Sequence, residues 1–328
     1  MLKLEIAEMI FAEDKPFQSC HASTLAVLPD GQVAAAWFGG TAEGNPDVAI
    51  WFSRRVEGKW TEPVIAADHP GEPLWNPVLF NPEGDRLILY YKAGHQIPRW
   101  YTMVMESPDG GQTWSEPVPL VPGDIGGRGP VKNKPIILAD GTWAAPASLE
   151  TEEYWDAFVD LSTDQGLTWI QSELVPLNRE APGAAGEPFG KGVIQPSLWE
   201  SQPGHVHMLL RSTAGWVFRS DSIDGGRTWC EAYPIELPNN NSGIDLVKLD
   251  NGTLALVHNP VAGNWAARTP LVVSISTDNG KTWIEAHVLE DEPGEYSYPA
   301  IVSAGNCIHI TYTWKRENIA YRVFTLGS

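Results

Sequence analysis

One octapeptide, repeated along the chain at a nearly constant interval, limits what this sequence can fold into more than any other feature. It reads S-P-D-G-G-Q-T-W at residues 107–114, S-T-D-Q-G-L-T-W at 162–169, S-I-D-G-G-R-T-W at 222–229 and S-T-D-N-G-K-T-W at 276–283. Successive copies start 55, 60 and 54 residues apart, and a worn copy, S-R-R-V-E-G-K-W at 53–60, starts another 54 residues upstream. A fixed period of this size means one supersecondary unit per repeat, stacked on its neighbours. The chemistry inside each copy is turn chemistry. Asp109, Asp164, Asp224 and Asp278 can each hydrogen-bond the backbone just ahead. The glycine two positions on supplies a positive-φ site, and the tryptophan is an apolar plug beside the turn. The boxes therefore read as structural staples and not as catalytic sites.

The rest of the chain supports an all-β architecture. Fifteen Trp, 31 Gly and 27 Pro suit short strands and tight turns. The sequence has no long 3.6-period apolar stretch and no apolar run of membrane-spanning length. Between the boxes the sequence divides into six units whose first strands begin near residues 20, 76, 134, 195, 242 and 296, each followed by a turn such as Pro29-Asp30-Gly31, Asp140-Gly141 or Asn251-Gly252. Six four-stranded units about one axis make a six-bladed β-propeller, expected here as a single domain over residues 1–328. The alternating stretch 2–11 precedes the first unit. It is expected to pair with the last blade and close the ring, so that no sheet edge stays open.

This topology sorts loops onto two faces. The boxes and first turns lie on one face; the starts of the innermost strands and the longer second loops lie on the other, where sites are usually built. The loop face collects, among others, His21, Glu43, Asp47, Asn76, Arg128, Lys132, Lys134, Glu150, Lys191, Gln195, Arg211, Asn241, Arg268, Tyr296, Tyr298 and Arg316. It holds nine of the 22 basic residues of a chain whose net charge is −19. Cations focused at one mouth of an acidic protein point to an anionic ligand. The overall charge excludes nucleic acid and anionic membrane as partners. Cys20, Cys230 and Cys307 form no CxxC pattern, which points to a reducing compartment and no structural zinc. No metal or cofactor is expected. The N-terminus reads as a strand and not a signal peptide, and the expected location is the cytoplasm.

The boxes and their spacing resemble the Asp-box, or BNR, repeats of the sialidase (neuraminidase) superfamily, and the resemblance covers nearly the whole chain. It implies a glycosidase that releases an acidic sugar, sialic or uronic, from an anionic mono- or oligosaccharide. Where the family carries its first-blade arginine, this chain has His21, in C-H-A-S-T-L-A-V-L-P-D-G. The family's acid/base aspartate corresponds to Asp47, with Glu43 as the rival. Its tyrosine-polarising glutamate is replaced by Gln195. Its second and third arginines match Arg211, in L-L-R-S-T-A-G, and Arg268, in R-T-P-L-V-V-S. Its nucleophilic tyrosine matches Tyr296, in Y-S-Y-P-A-I, with Tyr298 one strand pitch away. Asn76, Lys134, Asn241 and Arg128 are further candidates for holding substrate.

The two departures fall on the parts that define sialic acid hydrolysis. Arginines grip a carboxylate with paired donors, and a phenol needs a carboxylate beside it to become nucleophilic near neutral pH. Gln195 cannot take that proton. Three readings follow. The first is a glycoside hydrolase with Tyr296, Asp47, His21 and Glu43 as the catalytic set. The second is a uronate lyase acting by β-elimination, with Arg211, Arg268 and Gln195 on the carboxylate and His21 or Tyr296 moving the proton. The third is a non-catalytic glycan-binding propeller using Trp75, Trp100, Trp155 and Trp265 as stacking platforms.

Overall fold

Why a chain of this period needs six blades is visible in the strands themselves. Most of the second strands are buried along nearly their whole length, Val33–Gly40 at every position. Such strands must be covered on both faces, and only flanking blades can do this. The structure, a computed structural model, describes residues 2–327. They form six antiparallel sheets. Blade 1 runs Ser19–Val27, Val33–Gly40 and Ala49–Val56, with Lys59–Trp60 and Val64–Ala67 both laid on the third strand. Blade 2 begins at Leu74–Glu83, blade 3 at Ile136–Ile137, blade 4 at Val193–Gln202 and blade 5 at Asp245–Lys248. Blade 6 consists of Tyr296–Ala304, Cys307–Trp314, Asn318–Leu326 and, from the other end of the chain, Leu2–Met9. The ring is therefore closed as the sequence implied. No long helix appears among the described residues, only two 3-10 turns at Ile97–Arg99 and Ala184–Gly186.

The apolar core lies between blades. Each junction has its own cluster: Phe38, Phe52, Leu79 and Tyr91 between blades 1 and 2, for instance, and Val193, Met208, Phe218 and Trp229 among those between blades 3 and 4. The box tryptophans belong to these junctions. Trp114 of blade 2 meets Phe52 of blade 1 edge-on at 5.4 Å, and Trp169 of blade 3 meets Tyr90 of blade 2 at 6.5 Å. Each box thus bolts its blade to the one before. The worn copy keeps only this function. Its Glu57-Gly58 turn joins two paired strands and has no aspartate, but Trp60 still packs on Tyr321 of blade 6 at 5.2 Å.

Inside an intact box the hydrogen bonding repeats from copy to copy, Asp164 alone lacking the amide of the third residue on. One oxygen of Asp109 accepts from the amides of Gln112 and Thr113 and from the Ser107 hydroxyl; the other accepts from the Thr113 hydroxyl. Ser107 Oγ in turn accepts from the Gly111 amide. Gly111 has φ +86°, and a Cβ there would sit 2.3 Å from the Phe52 ring, so glycine is required twice over. The Thr113 hydroxyl and amide hold the Asp109 carboxyl down to about 2, and those of Thr168 do the same for Asp164. A depressed carboxyl pKa adds stability above its unfolded value, and that stability disappears as the pH falls through the folded one. Asp164→Ala is expected to lower the melting temperature at neutral pH. The gap to wild type should close between about pH 4 and pH 2, as followed by thermal melts across that range.

Candidate functional site

At the start of every blade's innermost segment one non-glycine residue adopts a left-handed backbone: Ala22 (φ 56°), Asn76 (40°), Lys132 (72°), Gln195 (54°), Asn241 (56°) and Tyr298 (50°). In blades 1, 2, 4 and 6 the ladder slips register at that point. Such conformations cost roughly 1 kcal/mol or more each. Their repetition once per blade marks a ring of bulges, which re-aim side chains at a site.

Arg211, near the end of His205–Ser212, lies inside this ring and is 2% exposed. Its Nε donates to Asn241 Oδ1 at 3.0 Å, and its Nη1 donates to Gln195 Oε1 at 3.1 Å and to Tyr298 Oη at 2.7 Å. Trp155, Trp265 and Tyr298 surround the guanidinium carbon at 5.7, 5.8 and 5.7 Å. All these partners are neutral, and no carboxylate forms an ion pair with Arg211 among the described residues. His21, 1% exposed, lies 4.2 Å from the Tyr298 ring and bonds Thr313 Oγ1 through Nδ1 at 2.9 Å. Burial pushes its pKa well down, and Arg316, Arg268, Arg211 and Lys132 push it further, so His21 is neutral.

The sequence placed Tyr296 in this cluster. The structure puts Tyr298 there instead. Two residues on a regular strand face the same way, but the bulge between Ser297 and Ala300 breaks the alternation. Tyr298 turns inward, while Tyr296 is 1% exposed in the wall between blades 5 and 6, 6.5 Å from Trp314. Arg268 is close by, with its guanidinium carbon 5.6 Å over the Tyr298 ring, but its Nη1 pairs with Glu295 at 2.7 Å. Burial raises the Glu295 carboxyl, and the charges of Arg316 and Arg268 outweigh that to hold it below the ordinary range. Arg316 also reaches Glu43 at 2.6 Å. Glu43 is thereby committed to an ion pair; Arg316, placed on the loop face from the sequence, joins the cluster together with Glu295, to which the sequence assigned no role. Asp47, in the loop between Val33–Gly40 and Ala49–Val56, accepts from the Thr41 amide at 2.9 Å and the Thr41 hydroxyl at 2.8 Å. Gln195, Asn241 and Asn76 take their places in the ring.

Two candidates lie elsewhere. Arg128 pairs with buried Asp160 at 2.7 Å and donates to the Trp169 carbonyl, which binds blade 2 to blade 3. Lys134 donates to both oxygens of Asp245 and to the Leu246 carbonyl, which makes it part of the axis and not a substrate contact. Trp100 is 2% exposed in an apolar cluster with Trp75 and Val131 and offers no face to a sugar.

Sequence reasoning gave Glu150 no role. It ends the strand Trp143–Glu150, pairs in register with Trp155, and is 6% exposed. Its Oε1 has no hydrogen-bond partner. A cavity of about 430 Å³ lies over it, lined by Trp75, His95, Trp155 and Lys191 among others. Burial raises its carboxyl to about 7 against the opposing charges of Arg211, Lys92 and Lys191. Burial is the missing signal: in the sequence, Glu150 opens an exposed-looking L-E-T-E-E run. No group of His, Cys, Asp and Glu side chains that could hold a metal occurs among the described residues, and no described helix is long and apolar enough to cross a membrane.

Comparison with known proteins sets this site in context. Residues 31–310 match the family described as a BNR repeat-like domain. No curated protein matches the sequence. Among solved structures, a protein of unknown function from Dyadobacter fermentans superposes with a TM-score of 0.75 at 17% identity, over 99% of both chains. Trypanosoma rangeli sialidase in complex with sialic acid gives 0.71 at 15% identity, covering 98% of this chain and 58% of the other. The NanB sialidase of Streptococcus pneumoniae gives 0.72 at 14%, covering 98% and 70%. This chain thus spans little more than half of the trypanosomal enzyme. At these identities the likeness is one of fold.

Glu150 provides a test that needs no substrate. A raised carboxyl pKa means that folding favours the protonated form, so stability is lost as the pH climbs from the unfolded value of 4.5 through about 7. Glu150→Gln keeps the shape and cannot ionise. Its melting temperature relative to wild type should rise between about pH 5 and about pH 8; a constant difference would mean that Glu150 titrates as an ordinary surface glutamate.

Proposed function

We propose that this chain, which belongs to the BNR repeat-like domain family and shares its propeller with sialidases, cleaves glycans at an acidic sugar whose carboxylate binds Arg211. One observation carries the reading: a 2%-exposed guanidinium whose hydrogen-bond partners are all neutral. A buried charge without a partner is costly, and a carboxylate ligand supplies what the fold withholds. Arg268 stands beside it as the second cation, half engaged by Glu295. Trp155 and Trp265, 6.4 Å apart and nearly perpendicular, offer apolar walls for a sugar ring.

The route favoured by the geometry is β-elimination. Tyr298 and Gln195 share the same Arg211 nitrogen, so an amide occupies the place from which a carboxylate would take the phenol's proton. Arg211 Nη1 donates to the Tyr298 oxygen at 2.7 Å, and the neutral His21 ring lies against Tyr298. These groups suit removal of a carbon-bound proton next to a carboxylate that arginine has neutralised. Hydrolysis is the second reading, supported by the exposed Asp47, which has no cationic partner among the described residues and is held by Thr41, and by the sialidase-like architecture.

Incubation with uronate and sialate glycosides separates the routes: elimination yields an unsaturated, ultraviolet-absorbing sugar and hydrolysis does not. Tyr298→Phe is expected to lower kcat by roughly 100-fold or more, and Tyr296→Phe to leave it nearly unchanged. Arg211→Lys should weaken binding of an acidic sugar by about 1–3 kcal/mol, with little effect on a neutral analogue, as measured by calorimetry. Equal losses for charged and neutral sugars would remove the carboxylate clamp. Binding without turnover of any acidic glycoside would leave a lectin-like propeller.

A further inference from the structure

We propose that Glu150 is the proton donor to the departing sugar oxygen, acting from the cavity between blades 2 and 3. This rests on the reading that an acidic glycoside is cleaved beside Arg211. The inference begins with position. Glu150 is paired in register with Trp155, the Trp155 ring lies 5.7 Å from the Arg211 guanidinium carbon, and the Arg211 charge acts on the Glu150 carboxyl through space, so the carboxyl lies near the carboxylate clamp. The cavity over it extends the site past Trp155 toward Trp75 and His95. The blade 1 loop that carries Asp47 closes over the same region, because Gly44 packs on the Trp75 ring.

The second part is chemical. A general acid must hold its proton until the bond breaks and must tolerate the charge afterwards. The empty hydrogen-bonding position at Oε1 means that nothing in the protein stabilises the carboxylate by direct contact. Burial then keeps the group protonated up to about pH 7. The charged and titratable groups around it are Lys92 from blade 2, Lys191 and Arg211 from blade 4, and His95 and Glu152 in the cavity wall. Lys92 is itself fully buried, and desolvation lowers its pKa to about 8. The three cations lie close enough to favour the carboxylate through space without bonding it. Asp47 is a weaker donor, since both of its oxygens already accept from Thr41.

The step balances simply. The carbon–oxygen bond breaks with its electron pair going to the oxygen; that oxygen takes the Glu150 proton and leaves as a hydroxyl. Glu150 remains as a carboxylate and regains its proton from solvent. The same transfer serves elimination or hydrolysis, so the assignment of Glu150 does not depend on the route.

The test uses pairs of acidic glycosides that differ only in the leaving oxygen, alkyl or nitrophenyl, with wild type, Glu150→Gln and Glu150→Asp. A poor leaving group needs the proton and a good one does not. Glu150→Gln should lose roughly 100- to 10,000-fold in kcat on the alkyl substrate and less than about tenfold on the nitrophenyl one. The fall in kcat/KM above about pH 7 should vanish in the variant, while affinity for the free acidic sugar stays near wild type. Glu150→Asp, which keeps the acid, should retain more alkyl activity than Glu150→Gln and should preserve a pH limb. Equal losses on both leaving groups, or an unchanged pH profile in Glu150→Gln, would overturn the assignment of Glu150 while leaving the proposed activity intact. A wild type inert on every acidic glycoside would overturn both.

Discussion

The axis of the ring is where the blades must agree, and a single three-residue segment ties four of the six together there. Lys132-Asn133-Lys134 crosses it from blade 3. Lys132 Nζ donates to the carbonyls of Ile244 in blade 5 and Pro299 in blade 6. Asn133 donates to the carbonyls of Gln195 and Pro196 in blade 4. Lys134 pairs with Asp245 of blade 5, whose oxygens also accept from the Ser197 hydroxyl of blade 4 and the Ile301 amide of blade 6. Blade 3 has only Ile136–Ile137 as an innermost strand because the residues before it serve as this plug. Burial brings Lys132 down to about 7 against the pull of Asp245, and three oxygen acceptors face its Nζ.

With the axis filled, the bulges above the plug form a floor, and what stands on that floor is cationic. Burial, and after it the charges of Arg316, Arg268 and Arg211, suppress the protonation of His21. Two of these arginines share Glu295; the third has only amides, a phenol and aromatic faces. This imbalance ties structure to function. The groups that bond Arg211 hold the side chain in place without neutralising it, as the proposed carboxylate ligand requires.

Much of this was legible in the sequence, for identifiable reasons. The boxes specify their own turns through bonds no more than four residues long, so blade number and order could be read directly. The closing strand followed from its alternation. Arg211, Gln195, Asn241 and His21 could be placed on one face because repeat position fixes which end of a strand faces the funnel, and they lie together there. The failures are all long-range or conformational. Lys134 and Arg128 look like free cations until Asp245 and Asp160, 111 and 32 residues away, are placed beside them. Tyr296 and Tyr298 are equivalent in any reading of strand period, and only a bulge at φ 50° distinguishes them. Glu150 was passed over because nothing local says that it is buried.

The claim at the centre of this account is that Arg211 holds a sugar carboxylate. The most direct measurement is a crystal structure of the protein with an acidic monosaccharide bound. The expected result is the carboxylate within hydrogen-bond distance of Arg211, with the ring against Trp155 and near Tyr298 and the leaving oxygen turned toward Glu150. A sugar bound with its carboxylate in solvent, or bound on the opposite face among the box turns, would contradict it.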